Sequence, residues 1–263
     1  MRLIDVQSLE LSEFFGSNIP CYAILSHWWG SEEVKFQEWQ KQGFSKILGA
    51  CRRARRDGYQ WLWVDTNCID KTSSAELTEA INSMYQWYAG AGVCFAYLAD
   101  IGPASQTKFE DSKWFTRGLT LQELVALKEV VFYNVDWVLI GAKSQTLTDR
   151  ISRATGIEED VLLDSESSRA QSIAQRMSWL ARRQTTRIED MAYCMLGLFD
   201  INMPLLYGEG SKAFTRLQED IIKLSTDHTI FCWEWTSSVP KKWVSLLAPV
   251  SQLSAPLKGT CFA

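Results

Sequence analysis

Two hydrophobic periods take turns along the first half of the chain. Short apolar runs, Tyr22-Ala23-Ile24-Leu25-Ser26, Trp61-Leu62-Trp63-Val64 and Val93-Cys94-Phe95-Ala96-Tyr97-Leu98, read as buried strands. Between them the apolar positions recur every three or four residues. From Phe44 to Asp57, Ile47, Leu48, Cys51 and Ala54 share one helical face, Arg52, Arg53, Arg55 and Arg56 fall mostly on the other, and Gly58 ends the helix. Ser73-Ser74-Ala75-Glu76 has the form of a capping box ahead of Leu77, Ile81, Met84 and Tyr88, which predicts a helix from about Ser74 to Tyr88. Helical character resumes near Leu119 to Ala126, and Val130 to Tyr133 and Trp137 to Ile140 predict a fourth strand and a short fifth. Strands and helices alternating in this way predict an α/β fold built on a parallel sheet with helices on both faces. Polar segments from His27 to about Lys41, Asp65 to Lys71 and Asp100 to Lys113 are the loops at the carboxyl ends of its strands.

Beyond Ser144 the pattern predicts helices only: about Gln145 to Thr155, Ser172 to Ala181, Arg187 to Phe199 and Lys212 to Ser225. Thr186-Arg187-Ile188-Glu189 reads as a second capping box, and Phe214, Leu217, Ile221 and Leu224 stripe the last helix. This half is expected to form a helical layer packed on the sheet. The tail from Ser237 carries Pro240, Pro249 and Pro256 and shows no closing element, as expected of a piece of a longer, multidomain protein.

Composition narrows the functional classes. With 46% hydrophobic residues among 263, the chain can fill a sizeable core. Lys+Arg 27 against Asp+Glu 31 leaves no basic excess to hold nucleic acid or an anionic membrane. The longest apolar runs fall far short of the roughly 20 residues needed to span a bilayer. The segment Met1 to Val6 lacks the apolar core of a secretory signal, so a cytoplasmic protein is expected. Seven cysteines at irregular spacing read as buried free thiols. The 12 tryptophans fit a thick aromatic core, or else stacking walls around a planar ligand.

Candidate chemistry is sparse. Two histidines, His27 and His228, leave few ways to build a metal site, and none is expected. A Cys68/His27 nucleophilic pair is conceivable at the carboxyl ends of strands, although a buried thiol is the simpler reading. Asp65 and Asp70 flank one loop, where they would hold a ligand hydroxyl or serve as turn and capping residues. Glu123 is an acidic residue early in an apolar helix. In a cleft beside aromatics such a carboxylate can stabilise an oxocarbenium-like centre as a glycosidic bond breaks; on a surface it would merely favour the first helical turn.

Five blocks stand in order: Tyr22-Ala23-Ile24-Leu25-Ser26-His27-Trp28-Trp29-Gly30, Trp63-Val64-Asp65-Thr66-Asn67-Cys68-Ile69-Asp70-Lys71, Trp114 to Leu124, Thr185-Thr186-Arg187-Ile188-Glu189-Asp190, and Tyr207-Gly208-Glu209-Gly210. Together they resemble the heterokaryon-incompatibility (HET) domain of fungal proteins. The resemblance implies a HET domain over residues 1–235, with a sheet part at 1–143, a mainly helical part at 144–235, and a linker or tail at 236–263. It implies a cell-death effector of fungal incompatibility and innate immunity, attached to a receptor or oligomerising domain and active on self-association. HET domains are in turn distantly similar to Toll/interleukin-1 receptor (TIR) domains, of flavodoxin-like fold, in many of which a glutamate cleaves the nicotinamide glycosidic bond of NAD. That role falls on Glu123, with NAD as substrate and no cofactor required. Ser26, His27, Trp28 and Trp114 would line the dinucleotide site, and Asp65, Asp70 and Arg117 would orient loops, ligand hydroxyls or phosphates. The chain departs from the family at Leu119, where a tryptophan is usual. The rival expectation is a non-enzymatic module that kills through homotypic contacts.

Overall fold

The computed structural model describes residues 1–28, 45–233 and 245–249. The chain opens with an antiparallel hairpin, β1 (Arg2–Asp5) and β2 (Leu11–Glu13), and enters the sheet proper with β3 (Tyr22–His27). Helix α1 (Ser45–Arg56) leads to β4 (Trp61–Val64); a single turn, α2 (Asp65–Cys68), and α3 (Ser74–Ala89) lead to β5 (Val93–Leu98). Helix α4 (Thr120–Ala126), β6 (Val130–Asn134) and β7 (Leu139–Ala142) complete the α/β part. The strand order is β2-β1-β4-β3-β5-β6-β7.

Strands β4, β3, β5 and β6 run parallel. Counted among themselves they stand in the order 2-1-3-4, the start of the flavodoxin-like doubly wound arrangement. Because crossovers are right-handed, reversing direction between β3→β4 and β4→β5 places α1 and α3 on opposite faces, and α4 joins α3. Ligands of such sheets bind at the carboxyl ends of the strands, beside the point where the order reverses.

The expected α/β fold is therefore present, with antiparallel edges that the strand pattern does not reveal. The fifth strand lies at Leu139–Ala142 and pairs antiparallel with β6, because the few residues after Asn134 allow a hairpin but no crossover. The N-terminal hairpin is inconspicuous in the sequence because β1 offers only Leu3 and Ile4 as apolar residues, both fully buried. The loop expected after His27 lies outside the described residues beyond Trp28, as does the tail apart from 245–249.

After a single π turn at Lys143–Leu147 the described elements are helical: α5 (Thr148–Thr155), α6 (Glu159–Leu163), α7 (Ser165–Ala170), α8 (Ile173–Ser178), α9 (Asp190–Tyr193), α10 (Leu196–Phe199) and α11 (Lys212–Leu224). The long helix expected from Arg187 to Phe199 is broken into α9 and α10. Its second capping box does not form, because the Glu189 carboxylate turns away from its own helix. It accepts hydrogen bonds from the amides of Gly208 and Gly210 at 2.8 and 3.0 Å. The first capping box forms by half: Ser73 Oγ accepts from the Glu76 amide, but the Glu76 carboxylate accepts from the Asp70 amide at 2.7 Å. In α11, Phe214, Leu217 and Ile221 are buried, each contributing about 1.5–3 kcal/mol, whereas Leu224 is exposed. Cys51, Cys68, Cys94 and Cys194 are the expected buried thiols; Cys21, just ahead of β3, is exposed, and Cys232 is disulfide-bonded.

Candidate functional site

The carboxyl end of β3 delivers Ser26 and His27 and then Trp28, while that of β4 delivers Asp65 as the first residue of α2. The segment after β5 returns as a 3-10 turn, Lys113–Thr116, whose first amide, that of Lys113, donates to Asp100 Oδ2 at 2.7 Å and whose second, that of Trp114, donates to Ser112 Oγ at 3.3 Å. This turn buries the Trp114 ring among Phe115 and Phe132 and points its indole N–H at β3. Trp114 Nε1 donates to Ser26 Oγ at 2.7 Å, and the Ser26 hydroxyl donates to Glu123 Oε2. The Tyr88 hydroxyl of α3 is a second hydrogen-bonding neighbour of the same carboxyl.

Glu123 is thus a buried carboxylic acid, 7% exposed, in a helix whose every residue is buried. Burial pushes its pKa up to about 7; the Ser26 hydrogen bond, the Arg117 charge and Tyr88 oppose that rise, and Asp65 adds to it. Two further buried cations hold the surroundings. Lys143 Nζ donates to the carbonyls of Leu124 and Leu127 at 2.8 and 2.5 Å, closing the end of α4, and burial brings its pKa down to about 8. Arg183 Nη1 donates to the Arg117 carbonyl and to Thr120 Oγ1, both at 2.8 Å, fixing the start of α4.

Beside this network lies a cavity of about 460 Å³. One side is formed by Trp28, Asp65, Lys71, Arg117 and Leu119 from the sheet part; the other by Gln184 to Arg187, Asp190 and Tyr207 from the helical layer. Ile69, Leu77, Ile81 and Met84 supply an apolar floor. The layer comes close enough to close the cavity because residue 118 is glycine. A Cβ there would stand 2.5 Å from Thr185 Cγ2, while the Gly118 amide donates to the Gln184 carbonyl at 2.9 Å. On the far wall the Tyr207 hydroxyl donates to Asp190 Oδ1 at 3.0 Å, and the Arg187 guanidinium lies 4.3 Å from the Tyr207 ring centroid. Gly208 and Gly210 have positive φ, 104° and 62°, which lets the following turn offer both amides to Glu189.

Of the residues expected at a site, Trp28, Asp65 and Arg117 line the cavity, and Asp65 pairs with Lys71 at 3.6 Å. Ser26, Trp114 and Glu123 meet in the hydrogen-bonded network but form no part of the cavity wall. His27 is buried at the end of β3, opposite Tyr97 of β5, away from that wall. Asp70 is also absent from it: its carboxylate accepts from the amide and hydroxyl of Thr72 at 2.9 and 2.6 Å, the turn role. The Cys68 thiol is buried, with a pKa pushed up to about 12, which suits packing rather than nucleophilic attack. Sequence reasoning gave no site role to Arg187, Asp190 or Tyr207, although two of the five quoted blocks contain them. The signal available was Gly208 and Gly210 flanking an acidic residue, a turn that needs a partner for its amides.

No group of three or more histidine, cysteine or acidic residues is placed to hold a metal ion among the described residues, and none of their helices is long and apolar enough to cross a membrane. A doubly wound α/β unit whose carboxyl-end cavity is closed by a helical layer, with a buried acid behind it, is the class of protein these features define. Residues 22–107 match the family model described as heterokaryon incompatibility protein (HET). The chain carries a HET domain and belongs to that family. It is 45% identical over 223 residues to the vegetative incompatibility protein HET-E-1 of Podospora anserina, a match covering 78% of this chain and 16% of the relative. The chain thus corresponds to a small part of that protein's length. No solved structure matches it.

Proposed function

We propose that this domain is the cell-death effector of a fungal incompatibility and innate-immunity protein, acting in the cytoplasm by hydrolysing NAD when self-associated through an attached receptor or oligomerising domain. The observation that carries the reading is the Glu123–Ser26–Trp114 network: a buried carboxyl held at the carboxyl end of β3 beside a nucleotide-sized cavity. Its resemblance to the glutamate of TIR domains supplies the reaction.

In that reaction the C–N bond between the nicotinamide ring and ribose breaks, and its electron pair neutralises the pyridinium nitrogen. Positive charge develops on the ribose ring, where the ionised Glu123 carboxylate stabilises it. Water then adds to the anomeric carbon and loses a proton to solvent, giving ADP-ribose and nicotinamide. Ser26 and Trp114 orient the carboxylate, and the cationic substrate favours its ionised form over the neutral one that burial promotes.

Turnover requires the carboxyl to reach the cavity, from which it is set back in the isolated chain. That recess fits a dependence on assembly. It equally favours a second reading, a non-enzymatic module that kills through homotypic contacts. Clustered protein, fused to an inducible oligomeriser, separates the two. The enzyme reading expects NAD loss and toxicity from the parent and neither from Glu123→Gln. Equal toxicity of both would overturn it.

A further inference from the structure

We propose that Arg183, which does not line the cavity, is a positioning residue for Glu123, acting through a hydrogen-bonded chain that starts in the helical layer and runs Arg183, Thr120, Trp114, Ser26, Glu123. The inference rests on the reading of Glu123 as the acting carboxylate, but the chain can be tested without any reaction.

All five residues are buried, so water does not stand in for a missing link. Arg183 follows α8 on a segment laid along the sheet part: the Gln184 amide donates to the Thr116 carbonyl at 2.6 Å, and the Gly118 amide to the Gln184 carbonyl at 2.9 Å. That seam brings Arg183 Nη1 to Thr120 Oγ1, to which it donates at 2.8 Å. The Thr120 hydroxyl has two carbonyls in reach, that of Trp114 at 2.7 Å and that of Arg117 at 2.9 Å. Arg183 Nη1 already donates to the Arg117 carbonyl, so the Thr120 hydrogen goes to Trp114. The turn's own bond to the Trp114 carbonyl, from the Arg117 amide, is long at 3.4 Å, which makes Thr120 its firm donor. Because that carbonyl and the indole belong to one residue, holding the first settles where the second points.

The direction of the chain is fixed at two places. Guanidinium and indole groups carry N–H donors and no acceptor, so Thr120 must receive from Arg183, and Ser26 must receive from Trp114. Each hydroxyl then passes its own hydrogen onward, and Glu123 Oε2 stands at the end as an acceptor. The carboxyl is thereby held in one orientation. A buried arginine with Nη2 unpartnered is a costly brace for a helix start, but no apolar side chain could head a chain of donors.

Nuclear magnetic resonance of the whole chain labelled at its indole nitrogens tests the assignment, the Trp114 signal being identified by its loss in Trp114→Phe. Arg183→Met is expected to shift that signal and to speed its exchange with solvent about tenfold more than that of the Trp63 indole, buried in β4. Thr120→Val keeps the shape, drops the hydroxyl and should speed it about fivefold on the same scale. Arg176→Gln removes a part-buried arginine of the same layer, one that donates to the Leu198 carbonyl at 2.9 Å, off the chain, and should leave Trp114 unchanged. In clustered protein Thr120→Val should lower kcat for NAD and leave KM within about twofold, since Thr120 does not line the cavity. An unmoved Trp114 signal in either variant that folds, or one moved as far by Arg176→Gln, overturns the positioning role. The expected shifts without NAD turnover by the clustered parent uphold the chain and overturn the hydrolase.

Discussion

Replacing Glu123 by glutamine removes a charge that the fold holds away from water, and its effect on stability follows from the burial. The glutamate carboxyl titrates near 4.5 when solvated and near 7 in the folded chain. Below pH 4.5 both states are protonated and the group contributes no difference. As the pH rises from 4.5 to 7, the unfolded chain gives up a proton that the folded chain retains, so stability falls; above 7 the loss is complete. At about 1.4 kcal/mol per pH unit the gap amounts to about 3 kcal/mol, or about 6–12 °C in Tm for a chain of this size. Glutamine keeps the shape and still accepts from Ser26, but carries no charge. Calorimetry of both proteins at pH 5, 6, 7 and 8 should therefore show the variant's Tm gaining steadily on the parent's between pH 5 and 7 and levelling off above. Two parallel curves would refute the idea that this carboxyl is buried and ionises against the fold.

Lys143→Met keeps the aliphatic stem but leaves the Leu124 and Leu127 carbonyls without their buried donor, and urea titration should show a loss of about 2–4 kcal/mol. Gly118→Ala drives a methyl against Thr185 and Cys194 and should cost about 1–3 kcal/mol in the same assay. Glu189→Ala releases the amides of Gly208 and Gly210, whose hydrogen exchange should speed up while that of β3 and β5 stays slow. If Glu123 acts ionised in catalysis, kcat/KM for NAD in clustered protein should rise with pH through about 7; a flat profile would count against that role.

How much of this was legible in the sequence depends on the range of the forces involved. The parallel strands and α1, α3 and α11 were readable because each buries a face whose spacing is local. Asp65 was findable because strand ends in a doubly wound sheet are where ligands sit, whereas Trp28 and Arg117 were named through the family resemblance. The antiparallel edges were not, since β7 and β1 are set by loop length and by pairing with distant strands. The far wall of the cavity was hidden for the same reason: Arg187 and Tyr207 belong to polar loops about 20 residues apart, brought together by the Glu189 bridge to Gly208 and Gly210 and by the Tyr207–Asp190 hydrogen bond. Asp70 shows the opposite error, a chemically suggestive residue whose oxygens are spent on a turn.

The buried Arg183 explains why the two halves should respond as one. Its guanidinium donates to the Arg117 and Trp179 carbonyls and to Thr120 Oγ1, so a single side chain spans the cavity rim, the start of α4 and the helical layer. Burial lowers its pKa to about 10, while Cys194 and Glu123 act to raise it. Nη2 is buried with no hydrogen-bond partner, a cost that a purely structural clamp would avoid. A displacement of the helical layer would therefore either carry the start of α4 with it or break hydrogen bonds donated in a dry interior. The tie through Arg183 thus joins the helical layer to the start of the helix that carries Glu123.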